Sequence, residues 1–265
     1  MSLFQDVELG NVMKNDCSGA SIKRDEFTQT GIRVVPKKAI SENIKLDEAT
    51  FSHTSEEFFK KKQNAKVGKN FCVTTLRNLN PDGSTLGLVC ENLANDELLL
   101  AQGLFAFELN DDIDAKYICY VSRTNAFRDA IQKIKVGSTQ VHIRAREYKQ
   151  ITIPLPPLPI QKQIAALLEK ADTLRSQCKQ MEQELNQLAQ SVFLEMFGDP
   201  VTNPKGWKKV VVGDVISEIK DGPHVSPQYA DEGIPILSSK YPPAKPGALV
   251  VNRSKRSVKR SLLAP

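Results

Sequence analysis

Histidine and cysteine are scarce in this chain, and each shortage argues against a class of chemistry. His53, His142 and His224 are the three histidines among 265 residues, far apart and without metal-ligand spacing. The five cysteines (Cys17, Cys72, Cys90, Cys119 and Cys178) are odd in number, widely spaced and lack a CxxC pair. That pattern argues against a disulfide framework and a metal cluster, and predicts reduced, mostly buried thiols. No GxGxxG follows a strand pattern, and Gly68-Lys69 lacks the upstream glycine of a phosphate loop. No apolar run approaches the length of a bilayer span. Met1-Ser2-Leu3-Phe4-Gln5-Asp6 has neither the basic nor the apolar region of an export signal. These absences predict a cytoplasmic protein with no membrane partner, no metal and no catalytic residues of its own.

Positive charge is also scarcer than it looks. The formal charge is +5, from 36 basic and 31 acidic residues. Lys240, Lys245, Arg253, Lys255, Arg256, Lys259 and Arg260 contribute seven cations to a stretch with no acid, leaving 29 against 31 elsewhere. Whole-chain charge therefore says nothing about a polyanionic partner.

Residues 1–152 read as one mixed domain of the α+β class. Short β-rich runs occur at Ile32–Val35, Phe71–Thr74, Leu86–Cys90 and Leu104–Phe107, separated by turn chemistry such as Asn80-Pro81-Asp82-Gly83. A helical pattern runs from Ala115 to Lys135, with Ile118, Val121, Phe127, Ile131 and Ile134 on one face. Strands without regular βαβ alternation favour α+β. Residues 153–159 hold four prolines, which forbid a helix and a central strand and predict a stiff extended connector.

Residues 160–197 then form the strongest pattern in the chain. Ile160, Ile164, Leu167, Ala171, Leu174, Cys178, Met181, Leu185, Leu188 and Val192 recur in alternating steps of four and three. This heptad spacing predicts a coiled-coil helix about 55 Å long. Either another helix, in cis or in trans, covers that stripe, or the helix lies across its own domain. Gly198-Asp199-Pro200 ends it. Residues 198–265 begin like the N-terminus. Val7–Val12 aligns with Val210–Val215, and Gly31-Ile32-Arg33-Val34 with Gly233-Ile234-Pro235-Ile236, at offsets of 203 and 202 residues. Two matches in order at one offset suggest a duplicated, partial second domain.

Several segments resemble the DNA-specificity subunit of type I restriction–modification systems. Gly137–Ile143 followed by Ile153–Leu158 resembles the close of a recognition domain in that family. Gln161 stands where the family has a Glu-Gln pair, with Ile160 in place of the glutamate. Residues 161–197 resemble its spacer helix, Ser191–Pro200 the end of that helix, and Asp221–Pro227 the opening of a second recognition domain. The resemblance spans residues 1 to about 239. It implies two target-recognition domains, each reading half of a split site on double-stranded DNA, held apart by two antiparallel helices. Methyltransferase subunits using adenosylmethionine would dock on them, and a motor–nuclease subunit using ATP and Mg would join. None of those cofactors is expected in this chain. The second domain is short of the family design, the second helix is missing, and the sequence from Lys240 on does not fit. A frameshift or early stop in a longer reading frame would account for this. The adenine-methyltransferase signature is absent, as Asn203-Pro204-Lys205-Gly206 is not one.

DNA reading needs cations for phosphates and forked or amide donors for base edges. Lys60, Lys61, Lys62, Lys66 and Lys69 form a run with no acid among them, either a phosphate stripe or a solvated helix face. Lys23-Arg24 and Lys37-Lys38 are lesser candidates. Thr75, Arg77 and Asn78 follow a strand and suit base contacts. Ser138, Gln140 and His142 either read bases or build a structural turn. The expected protein is a non-catalytic specificity subunit that pairs as a homodimer through its heptad helix. A coiled-coil scaffold and an inactive remnant remain the alternatives.

Overall fold

The computed structural model describes residues 4–78 and 82–218, together with the pairs 234–235 and 257–258. The chain runs β1 (Gln5–Glu8), β2 (Met13–Ser18), β3 (Phe27–Thr28), β4 (Ile32–Val35), β5 (Ser52–Thr54) and α1 (Glu56–Lys61). Next come β6 (Lys66–Val67), β7 (Phe71–Thr75), β8 (Arg77–Asn78), β9 (Val89–Glu91), β10 (Leu98–Leu100) and β11 (Leu104–Leu109). They are followed by α2 (Ala115–Val121), α3 (Asn125–Ile134), β12 (Val141–His142), α4 (Ala145–Lys149), β13 (Thr152–Leu155) and α5 (Leu158–Phe197). Beyond lie α6 (Val212–Val215), β14 (Ile234–Pro235) and β15 (Ser257–Val258). Residues 1–189 and 190–265 form two units. Residues 80 and 81 of the expected turn, the Asp221–Pro227 segment and the basic tail, Ser257–Val258 apart, lie outside the described residues.

β11 is buried on both faces, and its alternation sorts two cores. Phe105 and Phe107 point to one side and meet Tyr117, Ile118, Phe127, Ile131 and Tyr148. Leu104 and Ala106 point to the other and meet Val73, Cys90, Leu98 and Leu100. The four-stranded sheet β2-β11-β7-β9 thus separates a helical layer from a second sheet, β3-β5-β4-β10-β6. β10 repeats the device, sending Leu99 into a third cluster with Phe58 and Phe59. The β4–β10 pair is parallel and the neighbouring pairs are antiparallel. This is the α+β arrangement that the pattern predicts.

Three local readings change. The helix expected over Ala115–Lys135 is two helices broken at Ser122-Arg123-Thr124. Ser122 Oγ donates to the Cys119 carbonyl at 2.7 Å and accepts the Val89 N–H at 3.0 Å. The Thr124 hydroxyl caps α3 at Phe127 N–H. The strand expected from Leu86 starts at Val89. Gly87 has φ +75°, and a Cβ there would stand 2.4 Å from Ile131 Cδ1. The proline segment is more than a connector: β13 pairs with β1, setting Ile153 opposite Val7 and Pro154 opposite Asp6. A proline fits because the ribbon has two strands, so its missing N–H faces no partner.

α5 starts at Leu158 and runs 40 residues, about 60 Å. Gln161 fixes its start. That side chain is 1% exposed. Its Nε2 donates to the carbonyls of Pro156 at 2.9 Å and Asp112 at 3.3 Å, and its Oε1 accepts the Asp114 N–H at 2.9 Å. Ala165 is buried below it, and Lys116 pairs with Glu169 at 2.7 Å farther along the same face. At about 100° per residue, this docking face lies about 150° from the heptad stripe. Ile160 and Ile164 are half-buried, while Leu167, Ala171, Leu174, Cys178, Met181, Leu185, Leu188 and Val192 are exposed. Leu167 is 70% exposed and Leu185 59%. Ile164 packs against the core, but from Leu167 onward the stripe does not lie on its own domain. Cys178 departs from the expected burial of thiols because it sits on that stripe.

The helix ends in the second unit. Gly198 takes φ +79° and donates to the Leu194 carbonyl at 2.8 Å. Lys205 Nζ and Trp207 Nε1 donate to the carbonyls of Met196 and Phe197, each at 2.7 Å. These three donors satisfy the open C-terminal carbonyls.

Replacing Gln161 by Ala leaves one buried N–H and two carbonyls unpaired. We expect Gln161→Ala to lower stability by about 1–3 kcal/mol, read as a shifted urea midpoint with an unchanged m-value.

Candidate nucleic-acid interface

Two segments that are distant in sequence meet in one surface ribbon. β8 pairs antiparallel with β12, placing Asn78 opposite Val141 and Arg77 opposite His142. The ribbon grows from the end of β7 through Thr75. The buried Thr75 hydroxyl donates to the Arg77 carbonyl at 2.8 Å and accepts the Arg77 N–H at 3.4 Å. Leu76 N–H bonds the Gly103 carbonyl at 3.0 Å, and Ile143 N–H bonds the Leu76 carbonyl at 2.9 Å. On the other side, Val136 and His142 exchange backbone bonds of 3.0 and 2.9 Å. The intervening turn needs Gly137. It has φ +99°, and a Cβ would fall 2.2 Å from the Gln140 carbonyl oxygen.

Side chains on this ribbon divide by role. Thr75 is structural. Asn78 donates to the Thr85 hydroxyl at 3.0 Å, which engages part of its amide. Arg77 is exposed, as are Ser138 and Gln140 on the turn, and His142 is half-buried. A Cβ at Gly103 would lie 3.2 Å from Lys37 Cδ and 3.3 Å from Arg77 Cβ. Lys37 and Arg77 therefore flank one glycine, adding a second cation to the ribbon. A forked guanidinium, a lysine, an amide and an imidazole share a small surface. That set can donate to base edges and phosphates. Ribbons of two strands fit the major groove.

The lysine run does not join this ribbon. It sits on α1 and β6, with β6 at the edge of the five-stranded sheet. Two of its cations are matched by acids that precede the run: Lys60 lies 3.8 Å from Glu56 and Lys61 2.6 Å from Glu57. Lys62 stands 5.4 Å over the Phe58 ring and Lys66 4.0 Å over the Phe59 ring. Lys69 is exposed elsewhere, lining a cleft with Asn70 and Asn92.

Sequence inspection misses the two arginines that hold the surrounding loops. Arg123 donates to the carbonyls of Glu42 at 2.8 Å, Asn43 at 2.5 Å, Val89 at 2.7 Å and Cys119 at 2.6 Å. Arg128 donates to those of Gly83 at 3.1 Å, Ser84 at 2.9 Å and Leu86 at 2.6 Å. The helical break around Arg123 carries no composition signal. Tyr148 packs edge-on against Phe105 and Phe127 and donates to the Gly87 carbonyl at 3.1 Å, and burial pushes its phenol well above the ordinary range. Among the described residues, no group of three potential metal ligands comes together. No described helix is long and apolar enough to cross a membrane.

The fold is a mixed α+β domain with a surface ribbon, continuing into a long helix. The family described as type I restriction modification DNA specificity domain matches residues 1–189, and the chain belongs to it. Among similar proteins is the type I restriction enzyme MjaIX specificity subunit of Methanocaldococcus jannaschii. It is 26% identical over 139 residues, which is 47% of this chain and 32% of that one. Another is the EcoKI specificity subunit of Escherichia coli K12, 25% identical over 133 residues, which is 46% of this chain and 29% of that one. The match spans less than a third of the length of either relative. A solved structure from work on complex assembly and conformational transition of the type I R-M system shares the fold. Its TM-score is 0.52 at 19% identity, over 71% of this chain and 44% of that one.

If the ribbon turn is structural, its glycine is irreplaceable while its tip is not. Gly137→Ala is expected to destabilise the chain by about 1–3 kcal/mol, and Gln140→Ala to leave the thermal midpoint within a degree or two.

Proposed function

We propose that this chain is a non-catalytic DNA-specificity subunit of a type I restriction–modification enzyme, reading one half of a split target through the β8–β12 ribbon. The observation that carries the reading is the pairing of Arg77 with His142, with Lys37 beside Arg77 and Gln140 exposed on the adjoining turn, in a domain that belongs to this family. Arg77 suits a guanine edge, Gln140 an adenine edge and Lys37 a phosphate. The chain would direct methyltransferase subunits, which supply adenosylmethionine, and a motor–nuclease subunit, which supplies ATP and Mg, to that site. It would hold none of these cofactors itself.

The bare heptad stripe of α5 supports the second part of the reading. Two copies joined in antiparallel fashion through Leu167, Leu174, Leu185 and their neighbours would bury it. The assembly would have two-fold symmetry and would favour a target with matching symmetry.

Fluorescence anisotropy with a library of duplexes, with and without a methyltransferase subunit, tests the DNA reading. Arg77→Ala is expected to cost about 1–3 kcal/mol at the preferred sequence and to relax the preference at one base pair. Lys37→Ala should weaken all sequences alike and flatten the salt dependence by about one unit of slope. Binding that ignores salt and sequence would favour the scaffold alternative. Sedimentation of Leu174→Glu/Leu185→Glu tests the pairing: the variant should run as a monomer where the parent chain runs as a dimer.

A further inference from the structure

The connection from β10 to β11 comes up beside the β8–β12 ribbon. Residues 101–104 make a tight turn, closed by the Leu104 N–H on the Ala101 carbonyl at 3.2 Å. Gly103 takes φ +91° at the second central position, and Gln102 at the first stays out of the positive range. That combination marks a type II turn, which needs glycine where this one has it. Gln102 is exposed at the tip.

Three other segments hold this turn. The Ala101 N–H bonds the Val35 carbonyl at 3.0 Å, and the Gly103 carbonyl accepts the Leu76 N–H at 3.0 Å. The Gly19 N–H bonds the Leu104 carbonyl at 2.9 Å. Gly19 passes so close that a Cβ there would fall 1.9 Å from the Ala101 carbonyl oxygen. The backbone of the turn is therefore fixed, while its tip side chain is not: among the described residues, no hydrogen bond engages the Gln102 amide. Asn78 on the ribbon, by contrast, already spends an amide hydrogen on Thr85. Cations stand on both sides of the turn. A Cβ at Gly103 would lie 3.2 Å from Lys37 Cδ and 3.3 Å from Arg77 Cβ. One further Cα step of about 3.8 Å places the Gln102 backbone within about 9 Å of Arg77 Cβ.

A turn that only reversed the chain would be as stable with any polar residue at 102. The fixed mount and the two neighbouring cations are what give this amide a use. Glutamine pairs in bidentate fashion with N6 and N7 of adenine in the major groove, and a mount that is already ordered lowers the cost of making the contact. We propose that Gln102 is a further base-reading residue, contacting an adenine edge within about three base pairs of the pair that Arg77 reads. The spacing follows from the separation of about 9 Å and a rise of about 3.4 Å per base pair. The inference rests on the reading of DNA through the β8–β12 ribbon, and it extends the reading surface to a turn outside that ribbon.

Selection from a randomised duplex library tests it, with the full chain and a methyltransferase subunit, run in parallel for the parent, Gln102→Ala, Gln102→Glu and Arg77→Ala. Gln102→Ala should lose the preference for one A·T pair by about tenfold to a hundredfold, with the other positions and the salt slope unchanged. Gln102→Glu should move the preference at that pair toward cytosine, because a carboxylate accepts from the cytosine amino group. The pair affected should differ from the one that Arg77→Ala relaxes. The side chain is exposed, so neither variant should shift the thermal midpoint by more than a degree or two. A Gln102→Ala profile identical to the parent's overturns the assignment, as does a loss of affinity shared by every sequence. In both cases the parent's own preference and its response to Arg77→Ala leave the ribbon reading standing. A parent chain with no sequence preference overturns the ribbon reading and this inference together.

Discussion

The antiparallel pairing of Gln5–Glu8 with Thr152–Leu155 closes the first domain on itself. Strand and helix layers between these segments are built within that closure, and its last residues set the start of the long helix. Bringing such distant segments together is costly in chain entropy. Burial of Ile153, Leu9 and Tyr148 against the same core offsets that cost. Tyr117 Oη then bonds the Pro154 carbonyl at 2.7 Å, and Gln161 ties the next turn to the loop before α2. The start of the helix is fixed by buried hydrogen bonds, while its other face stays bare from Leu167 onward.

Helix α5 uses two chemistries on two faces. Its docking face mixes buried Gln161 and Ala165 with a Lys116–Glu169 ion pair about one-third exposed on each side. Its opposite face is apolar and bare. Such a division keeps the helix from collapsing onto its own domain, because the leucine stripe points away from the available core. Directional bonds and the burial of Ala165 together hold the root, and the leucine stripe beyond it stays exposed.

Much of this was legible in the sequence, for identifiable reasons. The heptads of α5 are a periodic signal, and period survives without knowledge of neighbours, whereas the apolar run at Leu104–Phe107 announced a strand but not its burial on both faces. The repeat at an offset of 203 residues suggested a duplicated domain, and a short helical turn stands at Leu9–Val12 and again at Val212–Val215. Non-local facts were not legible. Nothing local announces that Arg77 faces His142, or that Thr75 spends its hydroxyl on the turn. The acids that neutralise Lys60 and Lys61 lie four residues upstream of each and could have been read from helical spacing. At the break at Ser122-Arg123-Thr124, the Thr124 cap is a local signal, but the bonds of Ser122 to Val89 and of Arg123 to loops some 80 residues away are not.

That guanidinium has a consequence for how the domain can change. Arg123 and Arg128 grip residues 41–43 and 83–86 by main-chain carbonyls, which every amino acid possesses. The identity of the gripped side chains is therefore irrelevant to the anchorage. Exposed positions such as Glu42 and Ser84 can change without loosening the frame, while Leu86, fully buried in the core, and Gly83, at φ +64°, stay constrained. A scaffold whose arginines recognise backbone rather than side chains keeps its shape while its surface vocabulary turns over.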